Sequence, residues 1–102
     1  MTIRDKKHLA FIRTLPCFKC WKKPSDPAHI STKNDGGMAI KATDKNVIPL
    51  CRVCHQEQHR IGFKAFFKDI DKALHLAHGL YLFSGDRINS IQLMLKMKSE
   101  VF

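Results

Sequence analysis

Four cysteines stand in two pairs, Cys17-x-x-Cys20 and Cys51-x-x-Cys54. In a reducing compartment this spacing offers four thiolates to one tetrahedral Zn²⁺ at about 2.3 Å each. A redox dithiol needs only one such pair, in a strand–helix context. The 30 residues between Cys20 and Cys51 exceed the roughly 15–20 of a plain zinc ribbon, so a substantial insertion separates the two knuckles. In and just after that insertion lie His29, Asp44, Asn46, His55 and His59. A four-thiolate site draws positions 20 and 51 together and sets the intervening segment against whatever follows Cys51, which puts His29 opposite His55. A free imidazole titrates near ~6.5, so His29 can be neutral at cellular pH and still accept a proton. His55 and His59, at i and i+4, project from one helix face and can chelate one ion. Asp44 offers a hard oxygen of the kind Mg²⁺ prefers.

The elements that must position these groups are short. Residues 5–14 read as a helix with Asp5 as N-cap and Leu9, Ile12 and Phe11 inward, ended by Leu15-Pro16. Residues 16–27 hold three prolines and the first knuckle, and read as a rigid loop. Residues 28–30 and 47–50 are extended candidates, with a strong turn signal at Asn34-Asp35-Gly36-Gly37 between them; together they suggest a loose hairpin. From Arg52 the pattern becomes helical and ends near Gly62. Residues 63–83 are apolar at helical intervals, in two segments breaking around residues 69–71 or at Gly79. Ser84-Gly85-Asp86 is a turn with an N-cap, and a last helix spans about 87–98. Its polar strip of Asn89, Gln92 and Lys96 is narrow, so the wide apolar remainder must be covered, by the core or by another subunit.

The chain has 102 residues, 44% hydrophobic and 26% charged, which fits one small domain with a thin core. No run of about 18 apolar residues offers a membrane span. Residues 1–7 lack the apolar stretch of a signal peptide, so the expected location is the cytoplasm. The net charge of +9 is unevenly placed: residues 1–68 carry 14 basic and 5 acidic side chains, residues 69–102 four of each. A polyanionic partner would therefore meet the first two thirds, where Lys and Arg release counterions from phosphates. Lys19, Lys22, Lys23, Lys33, Lys41, Lys45, Arg52 and Arg60 surround the histidine group in sequence and are the candidate phosphate contacts, none of which specifies a base. His8, His75 and His78 lie outside the group and carry no assigned role, and Trp21 reads as packing on the knuckle.

The order Cys-x₂-Cys, Ala28-His29-Ile30, Asn46-Val47-Ile48-Pro49-Leu50-Cys51, Cys54-His55 resembles the HNH (ββα-metal) endonuclease family over residues 16–60. Its continuation through Lys41, Asp44, His59 and Gly62-Phe63 looks like the phage-associated subgroup that includes RecA-dependent recombination nucleases. The resemblance implies an α+β fold: a zinc-stabilised ββα unit over about 14–62 in a single domain, with flanking helices and a helical extension over about 63–102. It implies hydrolysis of DNA phosphodiester bonds, leaving a 5′-phosphate and a 3′-hydroxyl. His29 corresponds to the base, oriented by a carbonyl of the hairpin loop; Asn46 to the residue bracing that loop; His55 to the helix ligand of a divalent ion. Many members carry Asp immediately before the base histidine as a second ligand, and here that position is Ala28. His59 is the favoured replacement, with Asp44 as ligand or support. The implied cofactors are a structural Zn²⁺ on Cys17, Cys20, Cys51 and Cys54 and a catalytic ion, Mg²⁺ or another divalent metal. The implied partners are DNA and a recombination or packaging protein, in the host cytoplasm if the chain is phage-encoded, with a homo-oligomer through the C-terminal helices as a further option. A non-catalytic zinc-dependent nucleic-acid-binding or phage assembly module on a degenerate HNH scaffold is the alternative.

Overall fold

A computed structural model describes residues 4–30 and 43–102. Helix α1 (Lys6–Arg13) is followed by strands β1 (Ser25–His29) and β2 (Val47–Cys51) and then by helices α2 (Arg52–Ile61), α3 (Phe63–Phe66), α4 (Ile70–Leu82) and α5 (Arg87–Val101). The fold is a small α+β unit in which a two-stranded sheet carries helices. Residues 34–37 of the expected turn lie outside the described residues.

Asp5 caps α1 by accepting the His8 N–H at 3.0 Å, and Asp69 and Asp86 cap α4 and α5 in the same way. The strands pair antiparallel, with Ser25 opposite Cys51, Pro27 opposite Pro49 and His29 opposite Val47. The expectation that residues 16–27 form only loop is corrected: β1 begins at Ser25 and includes Pro27. In a two-stranded sheet both strands are edges, and two prolines facing each other place both missing N–H groups at one rung.

Gly62 ends α2 at φ 87°, a backbone conformation that a side chain would strain. The second helical stretch breaks over residues 67–69, next to the first of its two expected break points, and runs through Gly79. At Gly79 α4 passes so close to α5 that an added Cβ would lie 2.4 Å from Leu93 Cδ2.

One contiguous core joins Ile12 and Leu15 beside α1, Ile48 and Leu50 on β2, Phe66 and Phe67 around α3, Leu76 and Leu80 on α4, and Met94 and Val101 on α5. Phe102 binds the ends together, with its ring centroid 5.4 Å from both Phe18 of the first knuckle and Phe66. The helices after residue 62 therefore share the core of the sheet unit. Only part of the apolar arc of α5 is covered. Met94, Met97 and Val101 are buried, while Ile88 and Leu95 stay 72% and 61% exposed because α5 packs on one side only. Among the described residues no helix is long and apolar enough to cross a membrane.

Candidate functional site

The two knuckles meet because β1 and β2 pair. Ser25, five residues after Cys20, lies opposite Cys51, and the Phe18 N–H donates to Pro49 O at 2.8 Å. The first knuckle is closed by Trp21 N–H to Cys17 O at 2.8 Å and Cys17 N–H to Lys22 O at 2.9 Å, carrying Trp21 through the left-handed region at φ 66°. All four cysteines are free thiols, and their sulfurs lie within 4.8 Å of one another, with Cys20 and Cys51 Sγ 3.5 Å apart. Tetrahedral bonds of about 2.3 Å separate ligand sulfurs by about 3.8 Å, so the donor set fits Zn²⁺. The electrostatics point the same way. At Cys51 burial opposes ionisation, but the Cys54 N–H and the neighbouring thiols outweigh it and bring the thiol down to about 7. At Cys54 burial and the other sulfurs push the thiol up. Sulfurs this close need a cation before all four can ionise together.

His29, the last residue of β1, is one-third exposed and lies with Nε2 2.8 Å from Asp44 Oδ1. Asp44 is 2% exposed; its Oδ2 accepts the Asp5 N–H at 2.8 Å and its Oδ1 also takes Arg4 Nη1 at 3.3 Å. Burial disfavours the charge, yet the hydrogen bonds from His29 and Asp5 and the nearby cations hold the carboxyl below its usual range. An ionised carboxylate only accepts, so the hydrogen of neutral His29 sits on Nε2 and the lone pair on Nδ1. Among the described residues the group that meets His29 is a carboxylate, while the loop carbonyl expected to orient it falls outside the described residues. Of the two roles open to Asp44, ligand or support, its contacts are those of a support for His29.

Asn46 closes the hairpin: its carbonyl accepts the Ile30 N–H at 2.8 Å and its own N–H donates to Thr43 O at 3.0 Å. Its side-chain Oδ1 accepts from His78 Nε2 at 2.8 Å, so His78 is not without a contact at the site.

On α2 the i, i+4 spacing brings His55 and His59 together, with their Nε2 atoms 3.1 Å apart. Bonds of about 2.1 Å to one ion would subtend an angle of about 95° at that separation, a normal value for neighbouring ligands. Burial, then His59 and, more weakly, His29 push the His55 imidazole below its usual range, against the pull of Asp26. His55 is thus a neutral donor at cellular pH. Asp26 Oδ2 lies 3.7 Å from His55 Nδ1 and favours the hydrogen there, which frees Nε2. Asp26 was hidden by the loop assignment. Its signal was its place two residues from Ala28, on the same face of an extended segment. Among the described residues the cysteines form the one group of three or more metal-ligand atoms within 4.8 Å, so the histidine pair supplies two ligands and leaves the rest of a coordination shell open.

The basic side chains fare unequally. Lys22 and Lys23 are exposed. Arg52, though 76% exposed, is held by Asp26 at 3.2 Å, and Arg60 is paired with Glu57. Lys45 lies 6.0 Å over the Tyr81 ring. Lys19 packs over Phe66 at 4.5 Å, and Lys98 covers Trp21 on the knuckle, as expected for a packed tryptophan. Lys33 and Lys41 lie outside the described residues. His8, read as roleless, is fully buried with Nδ1 2.8 Å from Ser84 Oγ.

Fold and site define a small α+β protein with a tetracysteine cluster able to bind zinc and a separate histidine–carboxylate group on the same sheet unit. Residues 1–78 match the family described as "Protein of unknown function (DUF968)", and the chain belongs to that family. It is similar to the uncharacterized protein YdfU of Escherichia coli K12, at 35% identity over 79 residues. That match covers 68% of this chain but 23% of YdfU, so the chain spans less than a quarter of the relative. No solved structure matches it.

Proposed function

We propose that the protein is a metal-dependent endonuclease of the HNH (ββα-metal) type that hydrolyses phosphodiester bonds in DNA. The observation that carries this reading is the 2.8 Å contact of His29 Nε2 with a buried carboxylate, an arrangement in which a neutral ring keeps its lone pair on Nδ1. A general base for water activation has this form. Asp44 then fixes the tautomer and favours the imidazolium formed when His29 takes the proton. His55 and His59 are the ligands for a divalent ion, with Asp26 orienting His55. When bound, that ion supplies charge to the scissile phosphate and the departing 3′ oxygen. Four thiolates hold the structural Zn²⁺ that fastens the unit. Lys22, Lys23, Lys33, Lys41, Lys45, Arg52 and Arg60 are the proposed phosphate contacts, of which Arg52 and Arg60 must exchange their acidic partners for DNA. A recombination or packaging protein in the cytoplasm of a phage host is the proposed setting.

The test is nicking of plasmid DNA with Mg²⁺, Mn²⁺ or Ni²⁺, zinc remaining bound. The wild type should nick, and His29→Ala should abolish nicking while folding, zinc content and DNA affinity persist. Undiminished nicking by that variant would refute the assignment. A second reading, a non-catalytic zinc-dependent module that binds nucleic acid or acts in phage assembly, is favoured by one observation: Ala28 is buried and offers no ligand beside His29. DNA binding without nicking in any of the three ions would select it.

A further inference from the structure

We infer that His78 is a positioning residue: from α4 it holds Asn46, and through Asn46 the turn that sets Asp44 behind His29. The catalytic consequence of this inference rests on the nuclease reading; the structural one does not.

Asp44 sits in the turn over residues 43–46. Asn46 N–H donates to Thr43 O at 3.0 Å, and Asn46 O accepts Ile30 N–H at 2.8 Å, tying the turn to the residue after His29. The side-chain carbonyl of Asn46 accepts from His78 Nε2 at 2.8 Å. A carbonyl oxygen only accepts, so His78 carries its hydrogen on Nε2 whether the ring is neutral or charged, and titration of His78 does not break the contact. The next turn of the same helix carries Tyr81, over whose ring the Lys45 ammonium lies at 6.0 Å. One helix therefore touches two successive residues of the turn. That helix is a firm support, because Ala73, Leu76, Ala77 and Leu80 on its inner face are buried in the common core. Asp44 is thus clamped between two helices outside the sheet unit: α1, through Asp5 N–H and Arg4, and α4, through Asn46. A turn displaced by a fraction of an ångström would lengthen the 2.8 Å bond to His29 and free its ring.

Two rivals compete. His78 is exposed, and a solvated helix histidine has no effect on the site. With Lys45 nearby it can also be a phosphate contact, which affects binding rather than positioning. The experiment uses the full chain with His78→Ala, His78→Gln and Asn46→Ala. It follows amide hydrogen exchange at Ile30 together with kcat and KM for plasmid nicking. Positioning requires Ile30 exchange about three- to tenfold faster in H78A, kcat lower by a similar factor with KM unchanged, and recovery of both in H78Q, whose amide can still donate to Asn46. Adding H78A to N46A should then change neither further. Unchanged Ile30 exchange in H78A, or a rise in KM alone, overturns the inference. If the wild-type protein nicks with none of the three ions, the nuclease reading fails, and Ile30 exchange alone decides whether His78 holds the turn.

Discussion

The cysteine cluster and the histidine–carboxylate group sit on the same two strands but are assembled in opposite ways. Each half of the cluster is local: two cysteines three residues apart in one knuckle, so that a single strand pairing joins all four. The histidine group is drawn from everywhere. His29 comes from β1, Asp44 and Asn46 from the turn before β2, Arg4 and Asp5 from the start of α1, His55 and His59 from α2, and His78 from α4. A cluster built from two local pieces needs one strand pairing and the cation to draw it together. A group built from five places needs the whole core in order first, so the cluster should govern whether the protein folds and the histidine group only what it does.

The largest expected effect follows from that division. Chelation of zinc, or Cys17→Ser and Cys51→Ser singly, should unfold the protein, because cation binding by such a site contributes on the order of 10 kcal/mol to folding. Loss of far-UV helix signal on adding a strong chelator, with its return on adding Zn²⁺, is the check; a fold that persists without metal would make the two regions alike. Next comes Asp44→Asn. The amide can donate where the carboxylate accepted, which reverses the tautomer of His29 and takes the lone pair from Nδ1. Nicking should fall by about 10²- to 10⁴-fold, while zinc content is retained. The fold should survive with a modest loss of stability at neutral pH. The carboxyl of Asp44 is held below its usual range, so its stabilising part is present at neutral pH and disappears as the pH falls through the folded value. The variant should therefore lose acid sensitivity below about pH 4, where the wild type keeps it.

Much of this was legible in the sequence, and the reason is again locality. The Asp5 cap, the two knuckles, the i, i+4 histidines of α2 and the Ser84-Gly85-Asp86 turn are patterns within a few residues, and the structure has each where the pattern puts it. The β1 start was not legible, because Pro24 and Pro27 read as loop until Pro49 is known to face Pro27. Nor were the His78–Asn46 and Asp5–Asp44 contacts, which join residues 32 and 39 positions apart. The wide apolar arc of α5 is covered by the core in part, with Ile88 and Leu95 exposed in the single chain: composition limits what can be buried, while the neighbours decide what is.

A smaller effect concerns His8, which belongs to neither region. It is fully buried against Tyr81 at 4.9 Å, its Nδ1 bonded to Ser84 Oγ and its Nε2 without a partner among the described residues. Burial pushes its imidazole below the ordinary 6.5, against the pull of Asp5 and Asp44. Between those two pH values the unfolded chain takes up a proton that the native chain refuses. Stability should therefore be full above about pH 7 and fall as the pH drops through 6.5 towards the lower native value. His55 and His78 are shifted the same way and add to the slope. Thermal unfolding of His8→Phe should show a shallower decline between pH 7.5 and 5.5 than the wild type; an equal decline would place the whole dependence on the other histidines.

The smallest effect tests whether α5 takes part in the comparison at all. Ile88 and Leu95 lie seven residues apart on its outer face and are exposed in the single chain. Replacing both by lysine should change stability by no more than about 0.5 kcal/mol and leave nicking intact, since neither side chain supports the core or reaches the turn that holds Asp44. A halving of the apparent mass in solution on making this double variant would show that the face is covered by a second copy. The histidine group would then have one more distant contributor, while the cysteine cluster would still depend on its two knuckles and the strand pairing that joins them.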